Sequence, residues 1–202
     1  MSDPMVQQDL NERIKLIESM IAEGRRSTAH WSWIFVLWGV AYTVAIGWSQ
    51  WGGHPGLAWP VTMVAAVILT VVLISLNHEE RRETTLGRAI GSVWMALGVS
   101  MFLLFLALGI TGRAGDVHIF VPVACGFLGM ANAASGMLLK WKAQIACATG
   151  WWAASVAACF GTQQQAQFVF LAAILLCLIV FGIYGMILES RARRSRSGAV
   201  HA

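Results

Sequence analysis

The chain has 202 residues, of which 57% are hydrophobic and 12% charged, with ten tryptophans, a mean hydropathy of +0.65 and a formal charge of +4. This composition excludes an ordinary water-soluble domain and marks a membrane protein. Asp, Glu, Lys and Arg are absent from 27–78, 89–112, 117–139 and 143–188, intervals of 52, 24, 23 and 46 residues.

The N-terminal segment, residues 1–26, is the one substantial piece expected outside the bilayer. Leu10, Ile14, Ile17 and Ile21 recur at spacings of four, three and four, with Leu16 and Met20 widening the stripe and Glu12, Lys15 and Glu18 on other faces. The pattern predicts an amphipathic helix ending near Gly24. Residues 1–24 carry five acids against two bases, a side-chain balance of minus three, which suits anionic headgroups poorly. The stripe therefore points to packing against a second copy, another protein or the loops on the same side, and is shorter than the three or four heptads a coiled coil needs. No basic start followed at once by an apolar core and cleavage site is present, so no removable signal peptide is expected.

A helix needs roughly 20 apolar residues to cross about 30 Å of hydrocarbon. The 24- and 23-residue intervals hold one span each; the longer two hold two each, divided by QWGGHPG at 50–56 and GTQQQAQ at 161–167. Six spans follow, near 31–49, 58–76, 89–111, 118–139, 143–160 and 168–188, in a transmembrane domain of residues 27–190. Strand alternation is missing, so helices must satisfy the backbone. The tail, 191–202, is basic and polar and is expected to be a disordered topology anchor.

Charge tests this count independently, because cytoplasmic loops collect Lys and Arg. Arg13, Lys15, Arg25 and Arg26 precede the first span; Arg81, Arg82 and Arg88 follow the second; Lys140 and Lys142 follow the fourth; Arg191, Arg193, Arg194 and Arg196 follow the sixth. Thirteen of fourteen basic residues thus fall on one side, leaving Arg113 near Asp116 on the other. Lys140 and Lys142 accordingly mark a tight cytoplasmic turn, and both termini are expected in the cytoplasm.

LIESMI at 16–21, FVLWG at 35–39 and SGMLLKWK at 135–142 followed by Gly150 resemble a family of small uncharacterised six-span bacterial membrane proteins. That family shares a short N-terminal helix, a Leu-Trp-Gly in the first span and a Ser-Gly-x-x-Leu-Lys turn before the fifth. The resemblance implies residence in a bacterial cytoplasmic membrane; it implies no substrate and no catalytic residue.

Within the spans, Asn132 is the strongest polar group, and with Gly129, Ala133, Ser135 and Gly136 it gives the fourth span a small, polar surface. Such a surface favours close helix packing and interhelical hydrogen bonds, with a ligand or pore role as the alternative. Cys125, Cys147, Cys159 and Cys177 lie in spans without a Cys-x-x-Cys pair and read as packing residues. His30, His54, His78 and His118 sit near span ends; a metal held by His54 and His118 is the weaker alternative. No ionisable group lies deep in a span, so proton relays and charged-substrate carriers are disfavoured. Pro60 and Pro122 are placed in the first turns of spans two and four, and Trp38, Trp94 and Trp152 each follow a basic residue by twelve positions; with ten tryptophans this spacing reads as coincidence, with a threefold hairpin repeat as the weaker alternative.

The expected architecture is therefore all-α: six transmembrane helices preceded by a short amphipathic helix. No cofactor, metal, enzymatic activity or nucleic-acid partner is expected. The sequence favours a non-enzymatic membrane component, surrounded by lipid and acting through self-association or a membrane protein partner. The alternative is a small transporter or channel for a neutral or lipophilic solute.

Overall fold

The computed structural model describes residues 4–52, 55–76, 85–113 and 115–200, and side chains at 7–25, 31–52, 57–76, 85–113, 115–191 and 194. All regular structure among them is helical: α1 (Pro4–His30), α2 (Ser32–Trp51), α3 (Pro55–Leu76), α4 (Thr85–Ile110), α5 (Val117–Leu138), α6 (Lys142–Phe160), α7 (Gln163–Ile174), a π-helical turn (Leu175–Val180) and α8 (Phe181–Val200). Six stretches are long and apolar enough to cross a membrane, namely Ser32–Trp51, Leu57–Leu76, Thr85–Ile110, Val117–Leu138, Lys142–Phe160 and Gln163–Arg191. Their apolar surfaces and internally satisfied backbones make the chain a multi-pass helical membrane protein.

Five boundaries differ from the sequence-based expectation. The N-terminal helix does not stop near Gly24 but continues to His30, because Gly24 is a contact glycine rather than a helix end. The last span starts at Gln163, inside the segment read as a turn. There Thr162 and Gln165 form a capping box: the Thr162 hydroxyl accepts from the Gln165 amide at 3.3 Å and the Gln165 side chain accepts from the Thr162 amide at 2.8 Å. Pro60 and Pro122 lie beyond the first turn, since α3 begins at Pro55 and α5 at Val117. The tail, expected to be disordered, continues α8 as helix to Val200; residues 201 and 202 lie outside the described residues.

α5 is the centre of the bundle. Half of its apolar window is buried inside the protein, against 11% for α3 and α4, whose remaining surface is left for lipid. An aromatic layer ties the six spans together, with one ring from each: Tyr42, Trp59, Phe105, Phe120, Trp151 and Phe170. Several of these pairs meet edge to face, as at Phe105 and Phe120 with centroids 5.4 Å apart, the geometry favoured by the ring quadrupole. A second group, Phe35, Trp94, Trp141 and Phe181, lies toward the end of the bundle that carries α1. Trp38, Trp94 and Trp152 find unlike partners, respectively Tyr42, Phe35 with Ser135, and Gly129.

Close helix approach depends on small residues at two seams. Between α2 and α8, a Cβ on Gly182 would lie 2.9 Å from the Ser32 carbonyl oxygen, and one on Gly185 would run into the Ser32 side chain. Between α5 and α6, Gly129 and Gly136 play the same part, as the site below requires.

Candidate functional site

Two features outside ordinary apolar packing stand out, a polar seam between α5 and α6 and an uncovered stripe on α1. The base of α1 reaches the seam at the turn joining α5 to α6. Lys140 there adopts φ +49, the left-handed conformation that usually calls for glycine. The Trp141 amide donates to the Gly136 carbonyl at 2.8 Å and the Lys140 amide to the Met137 carbonyl at 3.2 Å, the paired bonds of a Schellman helix end. α4 ends the same way with glycine in that place: Gly112 has φ +69, and Arg113 donates to Leu108 at 2.8 Å. At the α5 end, Arg25 supplies what the motif leaves open. Its guanidinium donates to the Leu139 and Lys140 carbonyl oxygens, each at 2.5 Å.

Below this turn, Gly129, Asn132, Ala133, Ser135 and Gly136 are all buried residues of α5. Gly136 lies against α6 so closely that a Cβ would stand 2.8 Å from Ile145 Cγ1 and 3.0 Å from the Ile145 amide nitrogen, and a Cβ on Gly129 would stand 2.5 Å from Trp152 Nε1. Ala133 is buried on the same helix. Asn132 is fully buried, and its Nδ2 donates to the Leu128 carbonyl one turn back, 2.8 Å away. Ser135, also fully buried, accepts from Trp94 Nε1 at 3.1 Å and joins α5 to α4. Ser155 of α6 donates to the Pro122 carbonyl at 2.7 Å, a carbonyl bond that ties the two helices lower down.

The seam also contains groups the sequence did not single out. Gln144 and Trp151 are fully buried, and neither amide atom of Gln144, nor Trp151 Nε1, nor Asn132 Oδ1 has a hydrogen-bond partner among the described residues. Gln144, Cys147, Ala148 and Trp151 share one face of α6 by their spacing of three, four and seven. Each orphaned polar atom in an apolar interior costs roughly 1–3 kcal/mol, so four along one seam are a substantial charge against the fold. Cys177, in the π-helical turn, lies against α6. Gly150 makes room there: its Cβ would stand 3.1 Å from Cys177 Sγ. Cys125 is buried, as a packing residue would be, whereas Cys159 is exposed and donates weakly to the Ser155 carbonyl of its own helix at 3.4 Å.

The second feature is α1. Leu10 is 57% exposed, Ile14 46% and Ile17 54%, with Leu16 and Met20 likewise exposed and Ile21 half-buried. Every residue described from Gln7 to Met20 is exposed, whatever helical face it occupies. The base of the helix is fixed nevertheless. Gly24 is buried, its missing Cβ leaving room for Leu86 of α4 and for Leu139, and Arg25 holds the end of α5.

The described basic residues Arg25, Arg88, Lys140, Lys142, Arg191 and Arg194 occur at the ends of the apolar stretches on the α1 side. Arg113 lies at the opposite end, bridged to Asp116 at 2.9 Å. Among the described residues no group of three His, Cys, Asp or Glu could hold a metal ion. The His54–His118 alternative falls partly outside them, since His54, like His30, His78 and His201, has no described side chain. The chain matches no protein-family model, no curated protein and no solved structure.

Proposed function

We propose that this chain is a non-enzymatic component of a bacterial cytoplasmic membrane, with both termini in the cytoplasm, that acts by making protein contacts through α1. The observation that carries this reading is an apolar stripe left uncovered on a helix whose base is anchored. A stripe of this kind on a polytopic protein ordinarily finds cover. Segregation of Lys and Arg supports the orientation. An acidic balance near α1 argues against the lipid surface as its cover.

A second reading is transport of a small neutral solute. It rests on the orphaned amide and indole groups of Asn132, Gln144 and Trp151, which could hydrogen-bond a passing polar molecule without any fixed charge. One comparison separates the two. Ile14→Glu with Ile17→Glu should remove native complexes and the associated growth phenotype while insertion stays normal, because the spans and Arg25 are untouched. Asn132→Leu with Gln144→Leu should leave those complexes intact. If instead the α1 variant keeps its complexes and phenotype and the seam variant, present at normal levels, loses function, the contact reading is wrong and transport replaces it.

A further inference from the structure

We infer that the partner covering the α1 stripe is a second copy of the same chain, paired in parallel and in register. This rests on the contact reading above and names its partner. The argument begins with the spacing. Leu10, Ile14, Ile17 and Ile21 alternate at four, three and four residues, a d-a-d-a seam of two heptads, too short for a free-standing coiled coil but in the register of one. With Ile14 and Ile21 at a and Leu10 and Ile17 at d, Arg13 falls at g and Glu18 at the following e.

In a parallel pair, g of one helix faces e of the next heptad on the other. Arg13 of each copy therefore meets Glu18 of its partner copy, twice by symmetry. An antiparallel pair sets g against g and e against e, and these opposite charges would not face each other. Arg13 already bridges Asp9 at 3.0 Å, yet its guanidinium has further donors directed by the same planar fork, and 72% of its side chain is exposed. The seam thus carries charge complementary to itself in one orientation only.

The membrane supplies that orientation. Two copies inserted in the same sense present α1 on the same side, and the docking of Gly24 and Arg25 onto the ends of α4 and α5 fixes the base of each helix. Two heptads would be marginal as free peptides. Confinement in one bilayer raises the effective concentration of each stripe for the other, and an anchored base reduces the ordering cost.

The test uses the full chain in phosphatidylcholine vesicles at low protein density, with copies counted by single-molecule photobleaching. The wild type should form multimers that Ile14→Glu with Ile17→Glu converts to monomers. Arg13→Glu alone, or Glu18→Arg alone, should weaken association about tenfold, because each turns two attractive pairs into two repulsive ones. The double variant Arg13→Glu, Glu18→Arg should recover it. An equimolar mixture of the two single variants should associate as heteromers, since each then meets the opposite charge.

Single reversals without effect, or a double reversal and a mixture that fail to recover, overturn the in-register parallel pair. A chain that is monomeric in vesicles but loses a native complex on Ile14→Glu with Ile17→Glu overturns self-pairing and leaves the contact reading standing. If that variant changes neither vesicle association nor native complexes, both readings fall. Binding of α1 only to vesicles containing anionic lipid also overturns the pairing.

Discussion

Replacing Gly136 by leucine tests the α5–α6 seam most directly. A Cβ at this position would stand 2.8 Å from Ile145 Cγ1, 3.0 Å from the Ile145 nitrogen and 3.3 Å from the Gln144 carbonyl carbon. Ordinary contact between carbon atoms lies near 3.5–4.0 Å. The Ile145 side chain can rotate away, but its backbone nitrogen cannot, so α6 must shift by roughly 0.5 Å before the rest of the leucine is placed. Overpacking of this kind costs about 1–3 kcal/mol, and each kcal/mol lowers the midpoint of a chain this size by about 2–4 °C. Gly98→Leu is the matching control, because nothing lies within 4 Å of its Cβ direction on α4. Gly52, although near a loop, would be a poor control: a Cβ there would stand 2.5 Å from the Trp48 carbonyl oxygen. The assay is thermal unfolding of both purified variants in one mild detergent, with folded yield from membranes as a second readout. Equal midpoints for Gly136→Leu and Gly98→Leu would refute the close approach of α5 and α6 at Gly136.

Lys140→Gly should raise stability by about 1 kcal/mol, since it removes the cost of a left-handed lysine from the α5 end, and a lower unfolding midpoint would contradict the motif. Arg25→Ala should cost about 1.5–3 kcal/mol if the two carbonyls it caps find no other donor, and faster amide exchange should appear in 136–141 and at the base of α1 together; protection unchanged at both places would remove Arg25 from the joint. A reporter active only in the cytoplasm should work when fused after Lys142 or Arg196 and fail after Asp116 or Gln164. Activity at Gln164 would break the proposed orientation.

Much of this architecture was legible because a bilayer makes length and charge decisive. The absence of charge over 117–139 defines a span almost coincident with α5, Val117–Leu138. Boundaries were less legible where local chemistry competes with composition. GTQQQAQ looks like a turn by polarity, although Thr162 and Gln165 carry the Thr-x-x-Gln spacing of a capping box and open a helix. Gly24 looked like a helix end for the usual conformational reason, whereas its use here is to let Leu86 and Leu139 approach. Pairing across the bundle was beyond a one-dimensional reading. Asn132, Gly129 and Gly136 could be chosen because they share a face of one helix, but Gln144 and Trp151 become notable only when burial strands their polar atoms. The Gly182 and Gly185 contact with Ser32 joins the first and last spans, and nothing local to either segment announces the other.

The joint at the α5–α6 turn places the two candidate features closer together than their separation in the chain suggests. Arg25 and Gly24 of α1 rest on Leu139 and Lys140; Gly136, which accepts the Trp141 amide in that same helix end, touches Ile145 and Gln144. One layer of residues therefore separates the anchored base of the exposed stripe from the first orphaned amide of the buried seam. Gly136 has no side chain to yield, and Lys140 already occupies a costly conformation, so the layer has little freedom to absorb a displacement of α1. An occupant that tilts α1 must either break the Arg25 bonds or carry the end of α5 with it. Amide exchange over 136–145, measured with the stripe intact and with Ile14→Glu and Ile17→Glu, distinguishes these outcomes: protection that changes in the variant places the seam and the stripe on one rigid lever, and identical protection leaves them as neighbours that do not communicate.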